Sequence, residues 1–112
     1  MYRRIELISK WSLPEIEQKI NYVKGGICFV PVKEGVFEAW WDMPTPKKPI
    51  NKNCRFYFTE KGWDIYGREI IKACQRVGQE YRVISVKEKS VDVYYIDDIQ
   101  VVVRPLKRRV VD

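Results

Sequence analysis

Three groups of basic residues in the sequence have the types and spacing to bind phosphate. The first is a proline-rich segment with Lys47, Lys48 and Lys52, which follows Trp40 and Trp41. Lysine ammonium groups attract phosphate, and an exposed indole offers a flat surface on which a base can stack. The spacing therefore predicts a site for single-stranded nucleic acid. The alternative is that one tryptophan points into the core, since the two alternate along a strand, and that the lysines only solvate the loop.

The second group combines basic residues from the two ends of the chain. Its members are Arg3, Arg4, Arg104, Lys107, Arg108 and Arg109. If the termini of the domain meet, these residues form one basic edge that could contact phosphates. A basic tail also serves solubility alone, and the sequence favours neither interpretation.

The third group lies on a predicted helix, where Arg68, Lys72 and Arg76 follow one another at intervals of four residues. That spacing places three cations along one ridge, which could follow a phosphate backbone. Glu69 partly offsets the charge, and an ordinary solvated helix face is the alternative. No helix and turn precede this segment, so the pattern does not predict a recognition helix.

The residues needed for catalysis are poorly represented. The chain has no histidine, which removes the commonest general base and the commonest transition-metal ligand. Cys28, Cys54 and Cys74 have no such base nearby and are predicted to be small buried hydrophobic residues. Asp97 and Asp98 fit the chemistry of a hairpin turn better than a metal site. We therefore expect a protein that is not an enzyme and that uses no metal and no cofactor.

Composition restricts the class of protein further. The 21 basic and 15 acidic residues give a formal net charge of +6, a bias that favours polyanions such as nucleic acid. Apolar residues make up 46% of the chain, enough for a globular core. No apolar run approaches the roughly 20 residues that span a bilayer. With an odd number of cysteines, the expected location is the cytoplasm, with reduced thiols.

The first half of the chain predicts one strand, one helix and one hairpin. Residues 2–8 alternate loosely and suit a short strand near a sheet edge. A capping box at residues 12–15 begins a helix at Leu13, and glycines 25 and 26 end it. Residues 27–32 and 36–41 predict a β-hairpin, in which Pro31 implies an edge position or a bulge.

The middle of the chain predicts a long exposed loop and the main helix. Residues 42–53 contain three prolines, so they neither pair in a sheet nor continue a helix. Residues 54–58 form a strand whose buried face is not evident. The main helix begins after Thr59 and ends at Gly78, in the left-handed conformation. Gly67, in its middle, suggests close contact with a neighbour.

The last third of the chain predicts a three-stranded meander over residues 81–87, 91–96 and 99–104. The predicted fold class is α+β: the hairpin and the meander join one curled antiparallel sheet, and two helices pack on it. The meander has the pattern of a small SH3-like half-barrel. We expect a single domain over residues 1–112, with a basic C-terminal tail at 105–112.

Together these patterns predict a small, basic, non-enzymatic module that binds DNA or RNA through the loop lysines, a nearby tryptophan and the basic tail. The alternative is a protein-interaction or inhibitor-like module that binds an acidic protein partner, through the same surfaces or by strand addition at an open sheet edge. Aromatic residues make up 13% of this short chain, which leaves room for a homodimer contact.

Overall fold

A computed structural model describes residues 1–8, 14–21, 28–33, 36–40 and 53–105 of the chain. The strands are β1 (Tyr2–Leu7), β2 (Cys28–Lys33), β3 (Val36–Trp40), β4 (Arg55–Phe58), β5 (Tyr81–Val86), β6 (Val93–Ile96) and β7 (Gln100–Val103). The helices are α1 (Pro14–Asn21) and α2, which continues through three segments, Glu60–Gly62, Trp63–Gly67 and Arg68–Val77. The predicted α+β class is confirmed.

Five of the strands form one antiparallel sheet in the order β5-β1-β4-β7-β6, and β2 and β3 form a separate two-stranded sheet. The strand pairing thus differs from the sequence-based expectation in two ways. The hairpin does not join the main sheet, and β5 pairs with β1 at the opposite side from β6 and β7, so the last three strands are not one contiguous meander. Local patterns reveal strands but not long-range partners, and β5 finds a six-residue register along β1.

The main sheet is curled but not closed. Val86 on β5 and Val93 on β6, which are its two outermost strands, both pack against the buried cluster of Tyr57, Val101 and Val103. Tyr57 lies between two other buried aromatic residues, Phe56 and Phe58, which point to the opposite face. Three consecutive buried residues place β4 at the centre of the sheet, covered on both faces.

The helices and the hairpin cover the other face. Ile5 and Phe58 form a core there with Trp63, Ile70 and Cys74 of α2. We call this side of the sheet the helix face, and its buried apolar strand residues are Ile5, Leu7, Phe56, Phe58 and Val102.

The ends of α2 agree with the sequence prediction. The hydroxyl of Thr59 accepts a hydrogen bond from the N–H of Gly62 and caps the first turn. Gly78, at φ 75°, ends the helix in the left-handed region, as expected for a C-terminal glycine. A Cβ at Gly62 would collide with the carbonyl group of Ile99, so the helix approaches the sheet as closely as glycine permits.

The middle of α2 contains a π-helical turn that the sequence pattern did not predict. The N–H of Arg68 donates to the carbonyl of Trp63, five residues earlier. The neighbour expected at Gly67 is the indole of Trp63 on this same helix, which occupies the space that a Cβ would need. The wider turn thus lets the indole lie over the glycine.

Helix α1 is attached to the free edge of β1 by side chains. The ladder between β1 and β4 consists of one residue pair, Arg3 opposite Phe58. Farther along β1, the buried amide of Asn21 accepts from the Ile5 N–H at 2.6 Å and donates to the Ile5 carbonyl at 2.8 Å. Glu17 accepts from the N–H of Leu7 at 2.9 Å. Side chains thus replace a neighbouring strand along this part of β1.

The hairpin has the irregularity expected from its proline. The register between β2 and β3 shifts between Pro31 and Lys33, which indicates a bulge. The predicted helix cap at residues 12–15 lies partly outside the described residues, and the loop at 42–53 and the tail at 105–112 lie almost entirely outside them. Within the described part of the chain, no helix is long and apolar enough to cross a membrane.

Candidate nucleic-acid interface

Two of the predicted basic groups lie largely outside the described residues. Trp40 is the last residue of β3, with its backbone paired opposite Cys28. The other residues of the loop group and three basic residues of the tail lie outside the described ranges. They are Trp41, Lys47, Lys48, Lys52, Lys107, Arg108 and Arg109. Their roles in binding stay predictions.

The helix group is exposed, but two of its three cations are paired. Arg68 Nε donates to Asp64 Oδ1 at 2.9 Å, and Lys72 Nζ lies 3.3 Å from Glu69 Oε1. Arg76 has no ion-pair partner among the described residues. Since exposed pairs on one helix stabilise it by only a few tenths of a kcal/mol, a stronger anion can displace them. The ridge nevertheless has less uncompensated charge than the sequence alone implies.

The terminal group does not form one edge within the described residues. Arg3 lies opposite Phe58 at one end of β4, and its Nη1 is 3.0 Å from Glu60 Oε2. Arg104 follows β7 at the other end of β4, and its Nη1 is 2.7 Å from Asp92 Oδ1. Both guanidinium groups therefore have a carboxylate partner, and each also lies over an aromatic ring, Trp63 for Arg3 and Tyr94 for Arg104.

Arg4 differs from every other basic residue in this set. Because side chains alternate along β1, it points to the face opposite Ile5, over the ring of Tyr57 with 5.7 Å between guanidinium carbon and ring centroid. Only 8% of its surface is exposed. Its Nε is buried without a hydrogen-bond partner. A buried guanidinium with an unbonded Nε is costly, because that N–H has lost hydration without gaining a hydrogen bond.

Burial is the main influence on the charge of Arg4. It lowers the pKa of the Arg4 guanidinium from its usual value; the positive charge of Arg55 lowers this pKa further, whereas Tyr57, Glu17 and Glu6 raise it. Arg55 lies on the same face of the sheet, two residues before Tyr57 on β4. It is exposed and has no ion-pair partner among the described residues.

The nearest carboxylates are used elsewhere. Glu17 and Glu6 both act on Arg4 through their charge, but neither forms an ion pair with it. Glu17 accepts the N–H of Leu7, and Glu6 accepts from the guanidinium of Arg82, with 3.0 Å to its Nε. Glu17 and Glu6 thus attract the charge of Arg4 without direct ion-pair contact.

We define the arginine face as the side of the main sheet formed by Arg4, Arg55, Tyr57, Val101 and Val103. Its two guanidinium groups stand beside a buried cluster of valine and tyrosine side chains. Guanidinium groups bind the oxygens of phosphate and carboxylate in a planar, two-pronged geometry. One buried and one exposed arginine on such a surface form a candidate anion site.

The remaining chemical groups show no comparable arrangement in the described residues. Cys54 and Cys74 are buried and not bridged. Burial raises the pKa of the Cys74 thiol to about 11, so thiolate is scarce near neutral pH. Among the residues that the structure describes, no three His, Cys, Asp or Glu side chains lie close enough to hold a metal ion.

Sequence reasoning grouped Arg4 with the chain ends and did not consider Arg55. The signal that could have found the site is the run Phe56-Tyr57-Phe58, since three successive aromatic residues imply a central strand buried on both faces. An arginine paired next to such a strand is then expected to be buried. Comparisons of the chain with protein-family models, curated proteins and solved structures found no match.

Proposed function

We propose that this protein is a small, non-enzymatic module that binds nucleic acid, with the arginine face holding a phosphate of the backbone. The observation that supports this most directly is the pair of Arg4 and Arg55, which share one face of the sheet and lack a carboxylate in ion-pair contact among the described residues. A bound phosphate would supply the oxygens that the Arg4 guanidinium lacks. It would also relieve the repulsion between the two positive charges.

Because the net charge is +6, we propose that the protein contacts more than one phosphate of the bound strand. The lysines of the loop and the arginines of the tail are the next cations available to a strand that leaves the arginine face. Binding then rests on backbone contacts, so it should depend weakly on base sequence and strongly on salt. Trp40 or Trp41 is the proposed stacking partner for a base, which would favour single strands. The proposal includes the cytoplasmic location expected from the sequence.

The direct test is fluorescence-anisotropy titration of labelled single- and double-stranded oligonucleotides at several salt concentrations, with wild type, Arg55→Ala and Arg76→Ala. The two variants remove equal charge from exposed positions, one on the arginine face and one on α2. We expect Arg55→Ala to weaken binding about 10- to 100-fold, the equivalent of one lost charge-assisted contact. Arg76→Ala should weaken it only a few-fold, through net charge.

The dependence of oligonucleotide affinity on salt concentration measures the same contact independently. For single strands, the slope of log affinity against log salt should decrease by about 0.7 for each phosphate contact removed. Arg55→Ala should show that decrease. Equal losses in both variants would contradict a localised site, and no binding at low salt would contradict nucleic-acid binding and favour an acidic protein partner.

The contribution of the loop can be separated with a Lys47/Lys48/Lys52→Ala variant. If the loop continues the path of the strand, this variant should lose affinity for long oligonucleotides and keep it for the shortest ones that bind. An equal loss for every length would place the loop lysines in the same contact as the arginine face. No loss at any length would remove the loop from the interface.

A further inference from the structure

The side of the sheet that carries the arginine face has a third arginine, on β5. Side chains alternate along β1, so Glu6 points to the same side of the sheet as Arg4. Arg82 lies opposite Glu6 in the register between β1 and β5, which places it on that side too. Together with Arg55 on β4, each of three neighbouring strands therefore contributes one arginine to this side.

Glu6 occupies the position between Arg82 and Arg55. It is three residues after Arg3 on β1, and Arg55 is three residues before Phe58, which lies opposite Arg3. Because the two strands run antiparallel, Glu6 and Arg55 lie at the same level of the sheet. Arg82 is at this level as well, since it lies opposite Glu6. The carboxylate of Glu6 therefore stands in a row between two arginines.

The carboxylate of Glu6 is bonded to Arg82. Arg82 Nε donates to Glu6 Oε1 at 3.0 Å, and its Nη2 donates to the same oxygen. Both side chains reach solvent, since 60% of Arg82 and 31% of Glu6 is exposed. Exposed ion pairs are weak, and phosphate offers a guanidinium the same kind of oxygen acceptors as a carboxylate. A phosphate can therefore replace Glu6 as the partner of Arg82.

The charges on this side of the sheet influence one another. Burial lowers the pKa of the Arg4 guanidinium, the charge of Arg55 lowers it further, and the charge of Glu6 raises it. Burial raises the pKa of Glu17 on α1, and the charges of Arg4 and Arg82 both lower it. Arg4 and Arg82 thus lie close enough to act on one carboxylate, so an anion bound at the arginine face is attracted by both.

We propose that Arg82 is a third phosphate contact beside the arginine face and that Glu6 is an internal competitor, which the phosphate of the bound strand displaces. This inference rests on the proposed function, because it concerns the same site. In the free protein, Glu6 is bonded to Arg82 and partly offsets the charges of Arg4 and Arg55. On binding, Arg82 exchanges the carboxylate for phosphate oxygens, which it can bind with the same two-pronged geometry. Glu6 therefore reduces the affinity of the wild type and favours ligands with enough negative charge to replace it.

The first test is fluorescence-anisotropy titration of a labelled single-stranded oligonucleotide with wild type and Glu6→Gln. Removal of the competing carboxylate should raise affinity about fivefold. Asp64→Asn is the matched control, because it removes a carboxylate from an exposed pair with Arg68 on α2. It should raise affinity by about twofold or less, through net charge alone. A gain in affinity cannot result from a variant that fails to fold.

The second test measures the contact of Arg82 in the Glu6→Gln background, where this arginine is free to bind phosphate. Adding Arg82→Gln should weaken binding about tenfold or more, as expected for the loss of one charge-assisted contact. Lys61→Gln in the same background is the control, since Lys61 is an exposed cation paired with Asp98. It should weaken binding by about twofold or less.

The outcomes separate this inference from the proposed function. If Glu6→Gln gains no more affinity than Asp64→Asn, or if Arg82→Gln loses no more than Lys61→Gln, the inference is overturned, while binding that depends on Arg55 still supports the proposed function. If neither the wild type nor Glu6→Gln binds an oligonucleotide at low salt, the proposed function fails, and the inference fails with it.

Discussion

The two faces of the main sheet are both buried, but they are built differently. The helix face packs Ile5 and Phe58 against α2, with glycine where the backbone comes closest. On the arginine face Tyr57, Val101 and Val103 form a buried cluster, and Arg4 is buried over the ring of Tyr57. Packing on the first face explains stability. On the second, a charge that costs stability is retained, which is the pattern expected of a binding surface.

The largest effect expected on the helix side is that of Asn21→Ala. This change leaves the N–H and C=O of Ile5 unsatisfied in a buried position and opens a small cavity. We expect a loss of about 3–5 kcal/mol in the free energy of unfolding, measured by urea denaturation. Lys19→Ala, on the exposed side of the same helix, is the control and should cost less than about 1 kcal/mol. A loss below that of the control would mean that α1 is not attached to β1 as described.

Glycine positions on α2 test how closely the helix face is packed. Gly62→Ala forces a methyl group against the Ile99 carbonyl and should cost about 2–4 kcal/mol. Gly78→Ala has open space around it, so only its left-handed backbone is strained, and it should cost about 1 kcal/mol. Equal costs for the two variants would contradict the close approach of helix and sheet at Gly62.

The pH dependence of stability tests burial at Cys74. Its pKa is raised to about 11 in the folded protein, above that of an unfolded thiol near 9. The neutral thiol is therefore favoured by folding, and this contribution is complete below pH 9 and lost as pH rises toward 11. At about 1.4 kcal/mol per pH unit, the loss reaches roughly 2–3 kcal/mol. Cys74→Ala should remove this dependence from urea denaturation measured between pH 8 and pH 11. If the free energy of unfolding of Cys74→Ala fell with pH as steeply as that of the wild type, the pH dependence would not come from Cys74.

The smallest effect on stability is expected on the arginine face. Arg4→Met keeps most of the side-chain volume and removes the buried charge, so stability should change by less than about 1 kcal/mol, or increase. Oligonucleotide affinity should nevertheless decrease at least tenfold. Arg3→Met, which breaks the exposed pair with Glu60, should change binding little. A large loss of stability in Arg4→Met would contradict the contrast between the two faces.

Local features of the fold were predictable from sequence, and long-range ones were not. The cap at Thr59, the stop at Gly78 and the bulge at Pro31 follow from the chemistry of single residues and were confirmed. The pairing of β5 with β1 joins residues about 80 positions apart, and nothing within either strand specifies the other. The burial of Arg4 depends on that same arrangement, because β1 lies between β5 and β4 and Arg4 lies over the ring of Tyr57 on β4.

The attachment of α1 to β1 also has a consequence for motion. Between β1 and β4 the main-chain ladder consists of one residue pair, because farther along β1 the side chains of Glu17 and Asn21 bond to the backbone groups that a strand would use. A junction with one ladder pair opens at lower free energy than a continuous main-chain ladder, so we expect it to fluctuate before the rest of the sheet unfolds. Arg4 lies on the strand beside it. Such breathing would expose the buried guanidinium and provide a route by which an anion reaches it.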